Sequence, residues 1–223
     1  DSLDIKDILI EIGKELIHKG KYALLTMAGG KGSRLGFDGP KGAAPIKLGD
    51  ANSLFELFAS KLSETNKIYN TIIRWYIMTG IDNDYETRKF FKDNDYFGYP
   101  KDYIKFFVQP TFPIVSIENG FLIDEHGEII AQSDGNGSVY KGIKESGILN
   151  ELKEENIEYV LLSGIDNALL QVADPLFIGM AKRNNSEAVI KTIVKKSPEE
   201  KVGVFCKDNG KVKVIEYTEI DKC

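Results

Sequence analysis

The protein has 223 residues, of which 42% are hydrophobic and 28% are charged, a composition typical of a globular domain and not of a disordered chain. Its net charge is −5 and its basic residues form no stripe, which argues against a nucleic-acid partner held by phosphate contacts. The apolar stretches, such as residues 22–27 and 159–162, are too short to cross a bilayer, which excludes a membrane-spanning protein.

The first half of the chain alternates between helical and strand patterns. Apolar residues recur at helical spacing over residues 3–18, which predicts an amphipathic helix. Residues 22–27 form an apolar run without polar alternation, as is typical of a strand buried on both faces of a parallel sheet. After a long loop, Ser53 begins a capping-box pattern for a helix that ends near residue 64. The next predicted elements are a strand over 71–78, a helix over 84–92 and a strand over 103–108.

The second half continues this alternation and ends in strands. Residues 121–124 and 128–132 flank a short turn and predict a small hairpin. A helical pattern covers residues 138–155 with a break at Gly147, and an apolar strand follows over 158–163. Asp174 and Pro175 predict the cap and first turn of a helix that ends near residue 183. The last predicted elements are strands over 188–194, 202–206 and 213–217, with an Asn209-Gly210 turn before the last.

This order of elements predicts an α/β fold. We expect a mostly parallel, doubly wound, Rossmann-like sheet with helices on both faces and a small antiparallel extension. No repeat or linker marks a second domain, so residues 1–223 are predicted to be one domain. The two cysteines, Cys206 and Cys223, are too few for a disulfide framework or a cysteine-built zinc site, and they indicate a reducing, cytoplasmic setting.

The most informative segment is the loop of residues 28–52, which has seven glycines and two prolines directly after the first strand. Ligands of such sheets bind beyond the carboxyl ends of the strands, and glycines let backbone N–H groups approach phosphates. Lys31, Arg34 and Lys41 add positive charge. A dinucleotide-binding fingerprint needs glycine where the chain has Leu35, and a Walker loop needs Gly-Lys before Ser or Thr. The pattern therefore predicts another kind of polyphosphate site; the alternative is a surface loop with solvated charges.

Residues 25–36 together with residues 39–42 resemble the nucleotide-binding loop of the eukaryotic-type UTP:sugar-1-phosphate uridylyltransferases. Within that family, the loop is most similar to that of the UDP-N-acetylglucosamine pyrophosphorylases. Further segments occur in the family's order: 107–110, 133–137, 164–167, 172–179 and 214–219. Family members continue well past the last strand seen here. The resemblance thus implies that residues 1–223 are a nucleotidyltransferase catalytic domain that is incomplete at its C-terminus.

The resemblance implies an in-line attack by a sugar 1-phosphate oxygen on the α-phosphorus of UTP, with pyrophosphate leaving. Such a reaction needs positioning and charge neutralisation more than a covalent nucleophile. The family pattern implies catalytic roles for Arg34, on the β- and γ-phosphates, and for Lys41, on the α-phosphate. It also implies that Asp166, at the end of a predicted strand, binds Mg²⁺ or another divalent cation; the alternative is a capping role. The expected partners are UTP and a sugar 1-phosphate.

The resemblance also implies the residues that bind the two substrates. The nucleotide-binding residues are Ala28, Gly29, Gly30, Gly32, Gln109 and Gly135. The sugar-binding residues are Asn136, Gly203 and Glu216. Gln109 can offer both a donor and an acceptor to the uracil edge, although a glutamine at a strand end is more often an ordinary surface residue. Without the family match, Glu216 would be interpreted as an outward residue of a half-exposed strand.

Three functions stay open at this point. N-acetylglucosamine 1-phosphate is the expected sugar substrate, because the loop has Ala28 and Lys31 where UDP-glucose enzymes tend toward Asn and Leu. Tolerance of the galactosamine epimer is left open. The alternatives are a UDP-glucose or broad-specificity UDP-sugar pyrophosphorylase, and a UTP-binding module without turnover. Two residues depart from the family pattern: Ser33 replaces the usual Thr, and Ser138 replaces a common Gly.

Overall fold

Strand β1 (Tyr22–Met27) lies inside a four-stranded sheet in the computed structural model. It pairs with β2 (Arg74–Thr79) on one side and with β8 (Tyr159–Gly164) on the other, and β3 (Ile104–Val108) pairs with β2. All three pairings are parallel, so the strand order is β3-β2-β1-β8. The structure describes residues 4–47, 49–118 and 120–219.

Helices cover both faces of this sheet, as the sequence predicts. They are α1 (Ile5–His18), α2 (Leu54–Tyr69), α3 (Asp84–Asp93), α4 (Val139–Glu145), α5 (Ile148–Glu154) and α6 (Pro175–Arg183). The side chains of β1 alternate between the faces. Leu24 belongs to a core with residues of α1, α2, α3 and α6, whereas Ala23 and Leu25 belong to a second core with α4 and α5.

The helices α2 and α6 begin at the capping residues that the sequence predicts, and α4 and α5 are separated at the predicted break. The Ser53 hydroxyl accepts a hydrogen bond from the N–H of Glu56 at 3.1 Å, which caps α2. The Asp174 carboxylate accepts from the N–H of Phe177 at 3.3 Å, and α6 starts at Pro175. Gly147, with φ of 80°, separates α4 from α5. The end of α2 differs from the prediction, because the helix continues to Tyr69 instead of stopping near residue 64.

The hairpin predicted from residues 121–124 and 128–132 is present as a short antiparallel contact, and strand pairs that the sequence did not predict flank it. In the structure β4 (Thr111–Pro113) pairs with β7 (Ala131–Ser133), and β5 (Val115–Ser116) pairs with β6 (Gly120–Phe121). The two predicted strands are joined by an isolated bridge from Ile123 to Ile129. Two backbone hydrogen bonds accompany this bridge, from the N–H of Ile130 to Leu122 and from the N–H of Asp124 to Glu128. The preceding segment adds to both strands, because the N–H of Ile114 donates to Ile130 and its carbonyl accepts from Leu122. Local alternation could not identify this third segment.

The chain forms two compact units, Asp1–Ser186 and Glu187–Cys223. In the second unit β9 (Val204–Asp208) and β10 (Lys211–Ile215) form the predicted antiparallel pair. The strand predicted over 188–194 is wrong: the structure has no strand over these residues, and apolar side chains such as Ile193 are exposed. An apolar run becomes a strand only where a neighbour takes its backbone hydrogen bonds. That residues 1–223 are one catalytic domain stays a prediction.

None of the helices within the described residues combines the length and the apolar character that crossing a membrane requires.

Candidate functional site

The carboxyl ends of β1, β2, β3 and β8 open onto a cleft of about 190 Å³. Its lining contains several residues that the sequence assigns to the site. The lining residues are Met27, Gly29, Gly30, Lys41, Met78, Gln109, Asn136, Gly164, Ile165 and Asp166. The cleft therefore lies where a doubly wound sheet places its ligands.

The glycine-rich loop starts in close contact with the neighbouring strand. The N–H of Ala28 donates to the carbonyl of Met78 at 2.7 Å, which extends the parallel ladder by one bond. A Cβ on Gly29 would lie 2.9 Å from Oε1 of Gln109 and 3.3 Å from the nitrogen of Gly80. Only a glycine fits this position without displacing its neighbours.

The loop then folds back on itself and returns Lys41 to the cleft. The N–H of Gly32 donates to Gly39 at 2.8 Å, and the N–H of Lys41 donates to Gly30 at 3.0 Å. A Cβ on Gly30 would lie 3.5 Å from Cε of Lys41, so the lysine side chain crosses this glycine. A Cβ on Gly32 would lie 2.8 Å from the ring of Phe37. The glycines thus allow the loop to fold back tightly enough for Lys41 to reach the cleft.

Lys41 and Asp166 meet at the cleft. The Lys41 ammonium lies 3.5 Å from Oδ2 of Asp166. The N–H of Ile165 donates to Met27 at 3.0 Å, which continues the β1–β8 ladder up to the aspartate. The side chains of Lys41 and Asp166 are 26% and 66% exposed, so both are accessible to a ligand. Asp166 pairs with this lysine and is not the cap residue of any helix in the described part of the chain, contrary to the alternative interpretation of its sequence position.

Arg34 stands apart from this pair. It lies in a short 3-10 turn, Ser33–Leu35, and is exposed. Its guanidinium makes no ion pair or hydrogen bond with the residues that the structure describes, and it is not among the residues that line the cleft. The structure therefore brings Lys41 and Asp166 together and leaves Arg34 as an exposed cation on the same loop.

Gln109 is buried, with 6% of its surface exposed, and does not occupy the surface position that is usual for a glutamine at a strand end. Its Nε2 donates to the carbonyl of Gly135 at 2.7 Å and to the hydroxyl of Ser138 at 3.3 Å. Its Oε1 lies beside Gly29. Because both amide hydrogens are used within the protein, Oε1 is the atom of this side chain left for a ligand.

The remaining predicted binding residues lie in two places. Gly135, with φ of 74°, precedes the short turn that carries Asn136 to the cleft. Gly203 and Glu216 belong to the second unit, where a Cβ on Gly203 would lie 3.5 Å from Oε1 of Glu216 and 3.0 Å from Cγ1 of Val214. Gly203 therefore faces the glutamate within that unit.

Sequence reasoning missed two side chains that hold the loops of the site. Asn83, 1% exposed, donates to the carbonyls of Ala28 and Gly30 at 3.1 and 3.2 Å. An asparagine before a predicted helix is an N-cap signal that could have drawn attention to it. Lys61 donates to the carbonyls of residues 168 and 170, just after Asp166, at 2.6 and 3.0 Å, and burial lowers the pKa of its ammonium. No local pattern predicts this long-range contact.

The acidic residue that lines the cleft is Asp166, whose carboxylate is accessible. Within residues 4–47, 49–118 and 120–219, no group of three or more His, Cys, Asp or Glu side chains could hold a metal ion. Mg²⁺ usually keeps several waters and binds through one or two carboxylates plus substrate phosphates. A single accessible aspartate beside a lysine at this cleft therefore fits Mg²⁺ that also binds substrate phosphates, and it does not fit a metal held by protein alone.

Comparisons with known proteins show which proteins this chain is similar to. UDP-N-acetylglucosamine diphosphorylase 2 of Arabidopsis thaliana is 36% identical over 225 residues, which cover 95% of this chain and 45% of the relative. UDP-N-acetylglucosamine pyrophosphorylase of Saccharomyces cerevisiae is 38% identical over 213 residues, covering 94% of this chain and 45% of the relative. The chain thus spans about half the length of the curated relatives it matches.

A solved structure shares the fold along almost the whole chain. The crystal structure of the uridine diphosphate N-acetylglucosamine pyrophosphorylase from Trypanosoma brucei, in complex with an inhibitor, matches with a TM-score of 0.90 and 36% identity. The match covers 96% of this chain and 45% of that one. The family model described as UTP–glucose-1-phosphate uridylyltransferase matches residues 3–223. By these matches, the chain belongs to the UTP–glucose-1-phosphate uridylyltransferase family.

Proposed function

We propose that this chain carries the uridylyl-transfer site of an enzyme that makes UDP-N-acetylglucosamine and pyrophosphate from UTP and N-acetylglucosamine 1-phosphate. The observation that carries the proposal is the juxtaposition of Lys41 and Asp166, 3.5 Å apart, at a glycine-lined cleft on the carboxyl edge of the sheet. Relatives 36% and 38% identical that are named for UDP-N-acetylglucosamine support this choice of sugar.

In the proposed reaction, the chain positions the substrates and neutralises their charge. An oxygen of the sugar phosphate attacks the α-phosphorus of UTP, and the bond from that phosphorus to the bridging oxygen of pyrophosphate breaks. Lys41 stabilises the charge that develops on the α-phosphate. Arg34, whose guanidinium has no partner among the described residues, holds the departing β- and γ-phosphates. Preorganised cations of this kind act where negative charge develops in the transition state.

The loop and the buried glutamine bind the base in this proposal. Gly29 and Gly30 line the cleft without a side chain, so the uracil and ribose can lie against the backbone. Oε1 of Gln109 accepts from the uracil, while its Nε2 holds Gly135 in place. Ala28 and Gly32 maintain the shape of the loop through backbone hydrogen bonds.

Asp166 is the residue proposed to hold Mg²⁺ or another divalent cation. When bound, such an ion neutralises phosphate charge and orients the polyphosphate. The 3.5 Å contact between Asp166 and Lys41 is long for a charge-assisted hydrogen bond, so a phosphate can take the place of the carboxylate opposite Lys41, and a divalent cation can take the place of the ammonium opposite Asp166. The sugar-binding roles of Asn136, Gly203 and Glu216 and the cytoplasmic location stay predictions.

Calorimetric titration with UTP, followed by a pyrophosphate-release assay with Mg²⁺, tests the proposal. N-acetylglucosamine 1-phosphate, N-acetylgalactosamine 1-phosphate and glucose 1-phosphate are compared as acceptors, with CTP in place of UTP as the base control. Turnover only with glucose 1-phosphate, the sugar phosphate in the family's description, would overturn the choice of sugar. UTP binding without turnover on any acceptor would favour the alternative of a binding module.

A further inference from the structure

Asn83 occupies the N-cap position of α3, yet its side chain does not cap that helix. Instead it reaches toward the glycine-rich loop and makes three hydrogen bonds, two to that loop and one to Gly80, which follows β2. Nδ2 donates to Ala28 at 3.1 Å and to Gly30 at 3.2 Å, and Oδ1 accepts from the N–H of Gly80 at 2.8 Å. Both donors of the amide are thus used on carbonyls of the loop, in a site where Asn83 is almost fully buried.

These bonds hold the Ala28–Gly29 peptide plane and, together with the N–H of Lys41, which also donates to the carbonyl of Gly30, the Gly30–Lys31 plane. In a trans peptide, the C=O and the N–H of the same plane point in opposite directions. The carbonyls of Ala28 and Gly30 turn toward Asn83, so the N–H groups of Gly29 and Lys31 turn away from it. Neither N–H donates a hydrogen bond to any described residue. Gly29 and Gly30 line the cleft. One donor therefore belongs to a residue of the cleft, and the other belongs to Lys31, which directly follows Gly30.

We propose that Asn83 is a positioning residue of the nucleotide site: by holding the carbonyls of Ala28 and Gly30, it aims the N–H groups of Gly29 and Lys31 at the ligand. The identity of that ligand, UTP, rests on the proposed function above. The orientation of the loop does not depend on that function. Gly80 supports the same arrangement, because a Cβ there would lie 2.7 Å from the carbonyl oxygen of Gly29.

The substitution Asn83→Asp removes both donors and adds a negative charge, so it is compared with an uncharged variant. Aspartate has almost the same size and keeps an oxygen to accept from Gly80, but its carboxylate cannot donate to the two carbonyls. Asn83→Ala is a second, uncharged variant. The matched control is Thr87→Val, because Thr87 is a buried residue of the same helix whose hydroxyl has no hydrogen-bond partner among the described residues. Thermal unfolding shows which variants are folded, and only those variants are compared.

Two measurements then test the role. Calorimetry should show that the Kd for UTP rises about 10- to 100-fold in Asn83→Asp and stays near the original value in Thr87→Val. If turnover is present, KM for UTP should rise more than kcat falls. In the ligand-free protein, NMR order parameters of the Gly29 and Lys31 amides should drop from the rigid range of about 0.85 toward 0.6 in both Asn83 variants.

A folded Asn83→Asp protein that binds UTP within about twofold of the original and keeps a rigid loop would overturn the proposal. An equal loss of affinity in Thr87→Val would also overturn it, because the effect would then come from general weakening of α3. If the unmodified chain does not bind UTP, the proposed function fails. In that case the order parameters of the ligand-free loop still decide whether Asn83 positions it.

Discussion

Lys41 Nζ lies 3.5 Å from Oδ2 of Asp166, although 125 residues separate them in the chain. The contact joins the segments that follow two neighbouring strands, β1 and β8. An ion pair as accessible as this one contributes at most about 1 kcal/mol to stability. Its place at the cleft is therefore better explained by binding than by folding.

Replacement of Lys41 tests its role in transfer. We expect Lys41→Ala to lower kcat by about 10² to 10³, because a preorganised cation at the α-phosphate is lost. Thermal unfolding should change little, since the ion pair with Asp166 is accessible to solvent. Pyrophosphate release under saturating UTP provides the measurement. Lys67→Ala, at an exposed position of α2, is the matched control. Near-normal turnover in a folded Lys41→Ala protein removes this lysine from the mechanism.

Asp166→Asn tests the proposed cation site. The substitution keeps the shape of the side chain but removes the charge, so we expect the Mg²⁺ concentration for half-maximal activity to rise about tenfold or more. A Mg²⁺ titration of pyrophosphate release measures this, with Asp50→Asn, an exposed carboxylate of the same long loop as Lys41, as control. An unchanged Mg²⁺ requirement contradicts the assignment of Asp166 as a ligand.

Gly29→Ala tests the close approach in the glycine-rich loop. The added Cβ would lie 2.9 Å from Oε1 of Gln109 and 3.3 Å from the backbone of Gly80, so the loop or the glutamine must move. We expect about 1–3 kcal/mol lower stability and a clear loss of UTP affinity. Gly137→Ala is the control, because a Cβ there would meet no atom within 4 Å. Equal urea midpoints and UTP affinities for both variants would show that the loop tolerates a side chain.

Gly13→Ala reverses the usual effect of this substitution in a helix. Helix propensity alone favours alanine over glycine by about 1 kcal/mol. However, a Cβ on Gly13 would overlap the carbonyl of Pro175, and one on Gly179 would overlap the carbonyl of Leu9, because α1 and α6 cross with their backbones in contact. We therefore expect Gly13→Ala to lower the free energy of unfolding by about 1–3 kcal/mol or more. Urea unfolding distinguishes a gain of stability from a loss, with Lys14→Ala, at the exposed neighbouring position, as the control.

Tyr99 makes stability depend on alkaline pH. Burial raises the pKa of its phenol to about 12, above the value of about 10 expected in the unfolded chain. The stabilisation by the neutral phenol is thus complete below pH about 10 and is lost as pH rises toward 12. At pH 7 we expect Tyr99→Phe to lower the free energy of unfolding by about 1–3 kcal/mol, because the carbonyl of Ile73 loses its hydrogen-bond donor. Its stability should then fall less steeply than that of the original protein above pH about 10.

Urea titrations at neutral pH and at two values between pH about 10 and 12 measure both effects of Tyr99→Phe. Burial also raises the pKa values of Tyr22 and Tyr76, so the variant still loses some stability as the pH rises. An identical decline in the two proteins over this alkaline range would show that Tyr99 does not contribute to it.

The predictions that succeeded concern features encoded by neighbouring residues. The caps at Ser53 and Asp174, the break at Gly147 and the buried strand β1 all depend on side chains within one or two turns of chain. The strand wrongly predicted over 188–194 marks the limit of local patterns. Its apolar run has the composition of a strand, but pairing depends on a partner that the run itself does not specify.

The sequence by itself determined that an apolar parallel strand leads into a glycine-rich, cationic loop, because composition and local backbone preferences are properties of adjacent residues. Only the tertiary structure decided which distant groups meet there. It placed Asp166 beside Lys41, buried Gln109 against Gly135, and turned Asn83 away from its own helix toward the loop. Such contacts follow from the parallel order of the strands, which gathers their carboxyl ends at one edge whatever their separation along the chain.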